Sequence, residues 1–172
     1  ENVRTHSMDI RLYETDQPSS RPILEATAII KNTCLLIFAN HWKSKSGGQA
    51  ETEIWRDWQE TILANIVKER MDGKADQAVI LCGDFNRDIT DFSFNQKDCS
   101  SSHEANIILK STGLPLQVYS PWLRSNNTIK KGPGSYRFKD QWERIDHIFT
   151  CGPIEISGFN PSTEGPWATE EG

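Results

Sequence analysis

Ala78-Val79-Ile80-Leu81-Cys82-Gly83-Asp84-Phe85-Asn86 decides how this chain is read. Five apolar residues run without interruption into Gly-Asp-Phe-Asn. A short continuous apolar run suits a strand buried on both faces. The polar tetrapeptide then stands at the strand's C-terminal end, where α/β folds build their sites. Asp84 is a hard oxygen ligand suited to Mg²⁺ or Mn²⁺. In an extended chain Asn86 points to the same side as Asp84 and can hydrogen-bond the same ligand without adding charge. Gly, Asp and Asn are also ordinary turn formers, so the tetrapeptide alone reads first as a turn.

Upstream, Cys34-Leu35-Leu36-Ile37-Phe38-Ala39 is a second continuous apolar run, ending in Asn40-His41-Trp42-Lys43-Ser44-Lys45. His41 can donate to a phosphate oxygen or protonate a leaving group. Lys43 follows at spacing two, and Lys45 continues a cationic rim. A structural histidine among solvated lysines is the alternative. Between the two runs, Glu51 to Met71 has helical periodicity. Trp55, Trp58, Ile62 and Ile66 form a stripe widened by Leu63 and Val67, with Asp72-Gly73 as terminator.

Downstream, Arg144-Ile145-Asp146-His147-Ile148 places a carboxylate within an apolar run, where it needs a partner. One useful partner is an imidazole whose orientation it fixes; an arginine or backbone amide is the plainer one. His147 alternates to the opposite face and reads as structural. Tyr136 and Arg137 precede this strand, placed either to line a substrate cleft or to pack.

The remaining elements are simpler. Met8–Tyr13 and Ile23–Ile30 read as strands, with Asn32-Thr33 as a hairpin turn. A helix is expected from about His103 to Ser111, and a loop from Ser120 to Ser135. Ser135–Lys139 and Arg144–Thr150 read as strands joined by a tight turn, with Ile154–Phe159 a last strand. Strand–helix–strand alternation gives an α/β (α+β) fold with sheet layers and outer helices.

The 172 residues amount to one domain, residues 1–172, with 36% hydrophobic and 25% charged content. No apolar run is long enough for a membrane helix, and the N-terminus lacks the apolar core of a signal peptide. The net charge is −5 and the pI about 5.4. A protein that binds DNA by blanketing it with cations would be basic, so the balance favours a metal enzyme over a passive nucleic-acid binder. Cys34, Cys82, Cys99 and Cys151 show no Cys-x-x-Cys spacing, which argues against zinc. Cys34 and Cys82 read as buried thiols, and Cys99 and Cys151 lie in or beside loops.

Each motif is modest alone; their order along the chain is specific. Asn40 to Lys45, Gly83 to Asn86, Ser135-Tyr136 and Ile145 to Ile148 together resemble the endonuclease/exonuclease/phosphatase superfamily. This group includes pancreatic-type DNases, AP endonucleases, neutral sphingomyelinases and inositol-polyphosphate phosphatases. The resemblance implies a four-layer α/β/β/α sandwich and metal-assisted phosphoester hydrolysis by in-line attack of water, with Mg²⁺ or Mn²⁺. It implies that His41 contacts the scissile phosphate, and that Asp84 orients water or joins the metal site. Asn86 would hold the phosphate and Asp146 would position a general-base histidine. Lys43, Lys45, Tyr136 and Arg137 would face the substrate.

Family members also carry a metal-binding glutamate upstream and a Ser-Asp-His segment downstream, and this chain shows neither. The expectation is therefore a piece of a longer enzyme, incomplete at both ends and inactive by itself. The nearest likeness is to bacterial nuclease-like members, with nucleic acid a possible substrate; the compartment is left open, a secreted or periplasmic one included. The alternatives are a phosphatase, a sphingomyelinase-like lipid phosphodiesterase, or a non-catalytic remnant that binds a phosphorylated ligand. Trp122, Trp142 and Trp167 suit either a ligand face or the core.

Overall fold

The computed structural model describes residues 2–6, 20–31, 33–74, 76–95, 106–124 and 126–162. Ten strands and one long helix form a mixed α+β fold among them. The strands are β1 (Asn2–His6), β2 (Ile23–Ile30), β3 (Thr33–His41), β4 (Ala78–Asp84), β5 (Ser93–Phe94), β6 (Ile107–Leu109), β7 (Leu116–Val118), β8 (Tyr136–Phe138), β9 (Gln141–Glu143) and β10 (Asp146–Cys151). The helix, α1, spans Gln49–Met71.

The main sheet has the order β1-β2-β3-β4-β10. Only β3 and β4 run parallel. Parallel neighbours need a long crossover, and α1 supplies it. Strands β5-β6-β7 make a small sheet that joins β10 through the Tyr119–Thr150 bridge, and β8-β9 is a separate hairpin. No described helix is long and apolar enough to cross a membrane.

The core lies between one face of the main sheet, α1 and the small sheet. Leu36, Phe38, Val79, Leu81 and Phe149 meet Leu63, Ala64 and Val67 of the helix and Ile107, Leu109 and Val118 of the small sheet. The expectation that β3 and β4 are buried on both faces holds on one face only. Leu35, Ile37 and Ile80 on the other are half-buried, and Leu24 and Ile148 are exposed. Of the expected four layers, the described residues form the sheet and the layer on one of its faces. Cys34 is exposed and Cys82 half-buried, where buried thiols were expected.

The helical stripe is shifted from the one expected. Trp55, Trp58, Ile62 and Ile66 are only half-buried. The inward face is Thr52, Arg56, Gln59, Glu60, Leu63, Ala64 and Val67. Its N-terminal half packs on polar loops rather than on the core, so hydrophobicity alone misplaced it.

Other expectations change as well. Ile107–Leu109 is strand rather than helix: it is the middle strand of the small sheet, between β5 and β7, and its burial alternates. Strand β10 pairs with β4, not with the segment before it; the hairpin partner of β8 is β9. Ile154–Phe159 forms no strand. The β2–β3 turn closes with Ile30 opposite Thr33 and Lys31 at φ 46°, one residue earlier than read. The Met8–Tyr13 strand, Cys99, residues His103–Ala105 of the expected helix, and Trp167 lie outside the described residues.

Candidate active site

Three strand ends meet at one edge of the main sheet. In register, His41 of β3 is the partner of Asp84 of β4, and Asp84 is the partner of Asp146 of β10. The three side chains thus form a row across adjacent strands. His41 Nε2 stands 3.6 Å from Asp84 Oδ2, and both groups are open to solvent. Asp84 Oδ1 accepts the backbone N–H of Asn86 at 2.8 Å, which fixes the carboxylate beneath the histidine.

The strands continue to hydrogen-bond past these residues. Trp42 N donates to Asp84 O at 2.8 Å, and Phe85 N donates to Ile145 O at 2.9 Å. Gly83 sits at φ 123°, and a Cβ there would lie 2.1 Å from the carbonyl oxygen of Asn40. Only glycine allows β3 and β4 to approach this closely at the site. Asn40 seals the joint from within: its amide donates to Phe38 O at 2.9 Å, and its carbonyl accepts Trp42 Nε1 at 3.3 Å.

Asp146 begins β10 with its side chain toward solvent. Partial dehydration is the main cause that lifts its carboxyl above the usual range, and the neighbouring Asp84 charge adds to this. The Ser135 hydroxyl and His41 act in the opposite sense. Ser135 Oγ also accepts the backbone N–H groups of Ile145 at 3.1 Å and Asp146 at 2.9 Å. The serine thus binds the approach to the hairpin onto the start of β10.

Asn86 departs from the extended geometry expected of it. Its φ is 47°, so the chain turns rather than continuing straight. The side chain is buried, and Nδ2 donates to Trp42 O at 3.1 Å. In this arrangement Asn86 ties the loop after β4 to the loop after β3.

Of the expected cationic and aromatic residues, Lys45 forms an ion pair with Glu143 at 2.8 Å. Arg137 pairs with Asp140, two residues past the end of its own strand, and Tyr136 is exposed on the hairpin. Lys43 is held through its backbone: its N–H donates to Gln59 Oε1 at 2.8 Å, and its carbonyl accepts Arg56 Nη1 at 3.1 Å. Trp122 is core and donates Nε1–H to Asp146 O at 2.9 Å, whereas Trp142 is exposed.

The groups that hold the site were not singled out from sequence. Arg87 is buried and its guanidinium reaches Glu60, Glu53 and Asp57. Burial pushes the Glu60 carboxyl up, opposed by the Lys110 backbone N–H and the Arg87 charge. Burial would also raise Asp88, but the N–H of Arg144 and both donors of Thr90 hold it low. The inward face of α1 therefore clamps both site loops: Arg56 and Gln59 hold residues after β3, while Glu60 and its neighbours hold Arg87. A polar stripe at Thr52, Arg56, Gln59 and Glu60, at helical spacing and in line with Leu63 and Val67, was the available signal.

His147 is structural, as its alternation indicated. It is fully buried, and dehydration lowers its pKa to about 4. Its ring stacks on Phe149 and meets Phe85 and Phe92 edge-on.

No cluster of three or more His, Cys, Asp or Glu among the described residues is placed to hold a metal. The row offers Asp84, with Asp146 beside it. Such a set suits Mg²⁺ or Mn²⁺, which keep several waters and take one or two carboxylates plus substrate phosphate. It does not suit an ion that needs an all-protein cage.

The family model of the endonuclease/exonuclease/phosphatase family matches residues 2–154. Among solved structures, truncated TDP2 of Caenorhabditis elegans is 16% identical with a TM-score of 0.58, covering 90% of this chain and 53% of that one. Two further TDP2 structures from C. elegans, one with selenomethionine, are 15% identical with TM-scores of 0.51. They cover 89% of this chain and 41% and 40% of theirs. The chain thus spans about half the length of these structures or less, and the likeness is one of fold. No curated protein matches. The match over residues 2–154 takes in every residue of the row and both loops that α1 clamps, and the chain belongs to the endonuclease/exonuclease/phosphatase family.

Proposed function

We propose that this chain is the phosphate-handling part of a divalent-metal-dependent phosphodiesterase of nuclease type. The observation that carries this is the His41–Asp84–Asp146 row on three adjacent strand ends. An imidazole and two carboxylates in one row can donate to a phosphoryl oxygen, orient water and hold a cation. His41 donates to the phosphate or the leaving oxygen. Asp84 aligns the attacking water and is the chain's ligand for Mg²⁺ or Mn²⁺. Asp146 positions a general-base imidazole and keeps the row negative. Asn86 holds the loop after β4 against the loop after β3, beside the place of the phosphate. Lys43 and Lys45 lie on the loop that follows His41 and supply positive charge at the rim. When bound, the metal supplies Lewis-acid stabilisation of charge on the phosphate oxygens.

The test has two parts. Mg²⁺ or Mn²⁺ titrated into this chain is expected to perturb the resonances of Asp84, and the Asp84→Asn variant is expected to lose the effect. The full reading frame is then assayed with Mg²⁺ on plasmid DNA, a single-stranded oligonucleotide, a bis-phosphodiester and a phosphomonoester. Diesters are expected to be cleaved, with His41→Ala lowering the rate by roughly 10²-fold or more. Preference for the monoester would favour a phosphatase, and unchanged rates in His41→Ala and Asp84→Asn would remove the row from the chemistry.

A further inference from the structure

Exposed aromatic rings gather on the hairpin that leads into Asp146. Tyr136, Phe138 and Trp142 are 37%, 53% and 42% exposed. Several large apolar groups left together on one surface element mark a binding face. The register places Tyr136 and Phe138 on one side of the hairpin, and Arg137 opposite Trp142 on the other. The Tyr136 and Phe138 rings are parallel to within 11°, with centroids 6.4 Å apart. Parallel rings side by side on one face offer flat surfaces on which a planar base can stack. Lys139 Nζ stands 5.1 Å from the Phe138 centroid and brings a cation to the same place.

The hairpin is also fixed relative to the row. Its tip turns through Lys139 at φ 47° and Asp140 at φ 64°, the pair of left-handed residues that a tight two-residue hairpin requires. Glu143 pairs with Lys45 from the His41 loop, and Ser135 anchors its base to Asp146. A ligand held at the rings is therefore held at a set distance from the site.

We infer that the β8–β9 hairpin is a stacking clamp for an unpaired base of a single-stranded nucleic acid whose phosphate lies on the His41–Asp84–Asp146 row. The inference rests on the phosphodiester reading above and names its substrate class. Aromatic stacking accepts any base, and Lys139 beside Phe138 brings positive charge to the rings of a chain whose net charge is −5. A lipid surface is the competing occupant and is disfavoured by the hairpin's tip. The leading residues are Lys139 and Asp140, and the Asp140 side chain is 91% exposed. An interfacial anchor would lead with its rings.

The test measures binding of this chain, with Mg²⁺, to a nuclease-resistant phosphorothioate oligothymidylate and to an abasic strand of equal length. Anionic phospholipid vesicles form the third arm. The oligothymidylate is expected to bind more tightly than the abasic strand. Phe138→Ser is expected to weaken it roughly tenfold and Tyr136→Ser similarly. Phe138→Trp retains binding and Phe138→Leu does not, because a flat ring rather than apolar bulk is required. These positions are exposed, so unchanged circular dichroism separates lost binding from lost folding. Equal affinity for the normal and abasic strands overturns the clamp and leaves the phosphodiester reading standing. No affinity for either strand overturns both. Vesicle binding that depends on Phe138, without oligonucleotide binding, overturns the clamp in favour of a membrane surface.

Discussion

His147 donates from Nε2 to the carbonyl oxygen of Arg87 at 2.8 Å. A carbonyl can only accept, so the bond fixes the neutral ring with its proton on Nε2. The bond ties β10, the last strand of the main sheet, to the loop that follows Asp84. Nδ1 is buried and, among the described residues, has no partner. The ring therefore has no acceptor nearby that would welcome a second proton.

That relationship makes stability depend on pH. Burial lowers the pKa of His147 to about 4 in the folded chain, against about 6.5 when unfolded. The unfolded state binds the proton more readily, so the contribution is fully present above about pH 6.5 and is lost as pH falls toward 4. Urea denaturation at stepped pH is expected to show a fall of about 3 kcal/mol across this window. His147→Leu is expected to be less stable at neutral pH but to have a flatter profile between pH 6.5 and 4. An unchanged slope in that variant would assign the effect to other groups.

The Arg87 guanidinium is the second tie on the same loop, and it is made of charges rather than rings. Arg87→Met leaves Glu60 buried without its cation, and the expected loss is about 3–5 kcal/mol by urea denaturation. The double variant Arg87→Met/Glu60→Leu is expected to recover most of that loss, because it removes the uncompensated carboxylate. Arg87→Lys is expected to fall between, since one ammonium cannot reach Glu60, Glu53 and Asp57 at once. Equal stability of wild type and Arg87→Met would show that the cluster is not coupled to the fold.

Gly83 governs how closely β3 and β4 approach at the row. Gly83→Ala places a methyl against Asn40 O and forces alanine to φ 123°, so a loss of at least ~2 kcal/mol is expected. The comparison is Gly47→Ala, at φ 97° with open space around the new methyl, which is expected to cost only about 1–2 kcal/mol. Thermal unfolding of both variants checks the order. A larger loss at Gly47 would contradict the close packing at the Asn40–Gly83 joint.

The row was legible from sequence because strand ends announce themselves. An apolar run that stops at His41 or Asp84 places those side chains at a sheet edge whichever strand lies beside it. The pairing of Asp146 with Asp84 was less accessible, since Arg144–Thr150 could have folded back on the segment just before it. That choice is made by long-range register, which local periodicity does not contain. The clamp by α1 was hidden for a different reason. Arg56, Gln59 and Glu60 are polar residues facing inward, and a hydrophobic stripe discards them although burial does not. Ile107–Leu109 was misread because three apolar residues fit a helix as well as a strand.

Asp84 and Asp146 share one edge of the sheet, and their mutual repulsion is directly measurable. Dehydration and the Asp84 charge both raise the Asp146 carboxyl. Side-chain carboxyl titration by NMR, in the absence of divalent ions, is expected to place Asp146 above an ordinary aspartate. Asp84→Asn removes one source of the rise, so the Asp146 titration is expected to move down. Ser135→Ala removes a hydrogen bond to the charged form, so it is expected to move the titration up. The two variants thus shift the same resonance in opposite directions. A change in fold would move many resonances together and would not reproduce that pair of signs. If Asp84→Asn leaves Asp146 where it was, the two carboxylates are not coupled across the row.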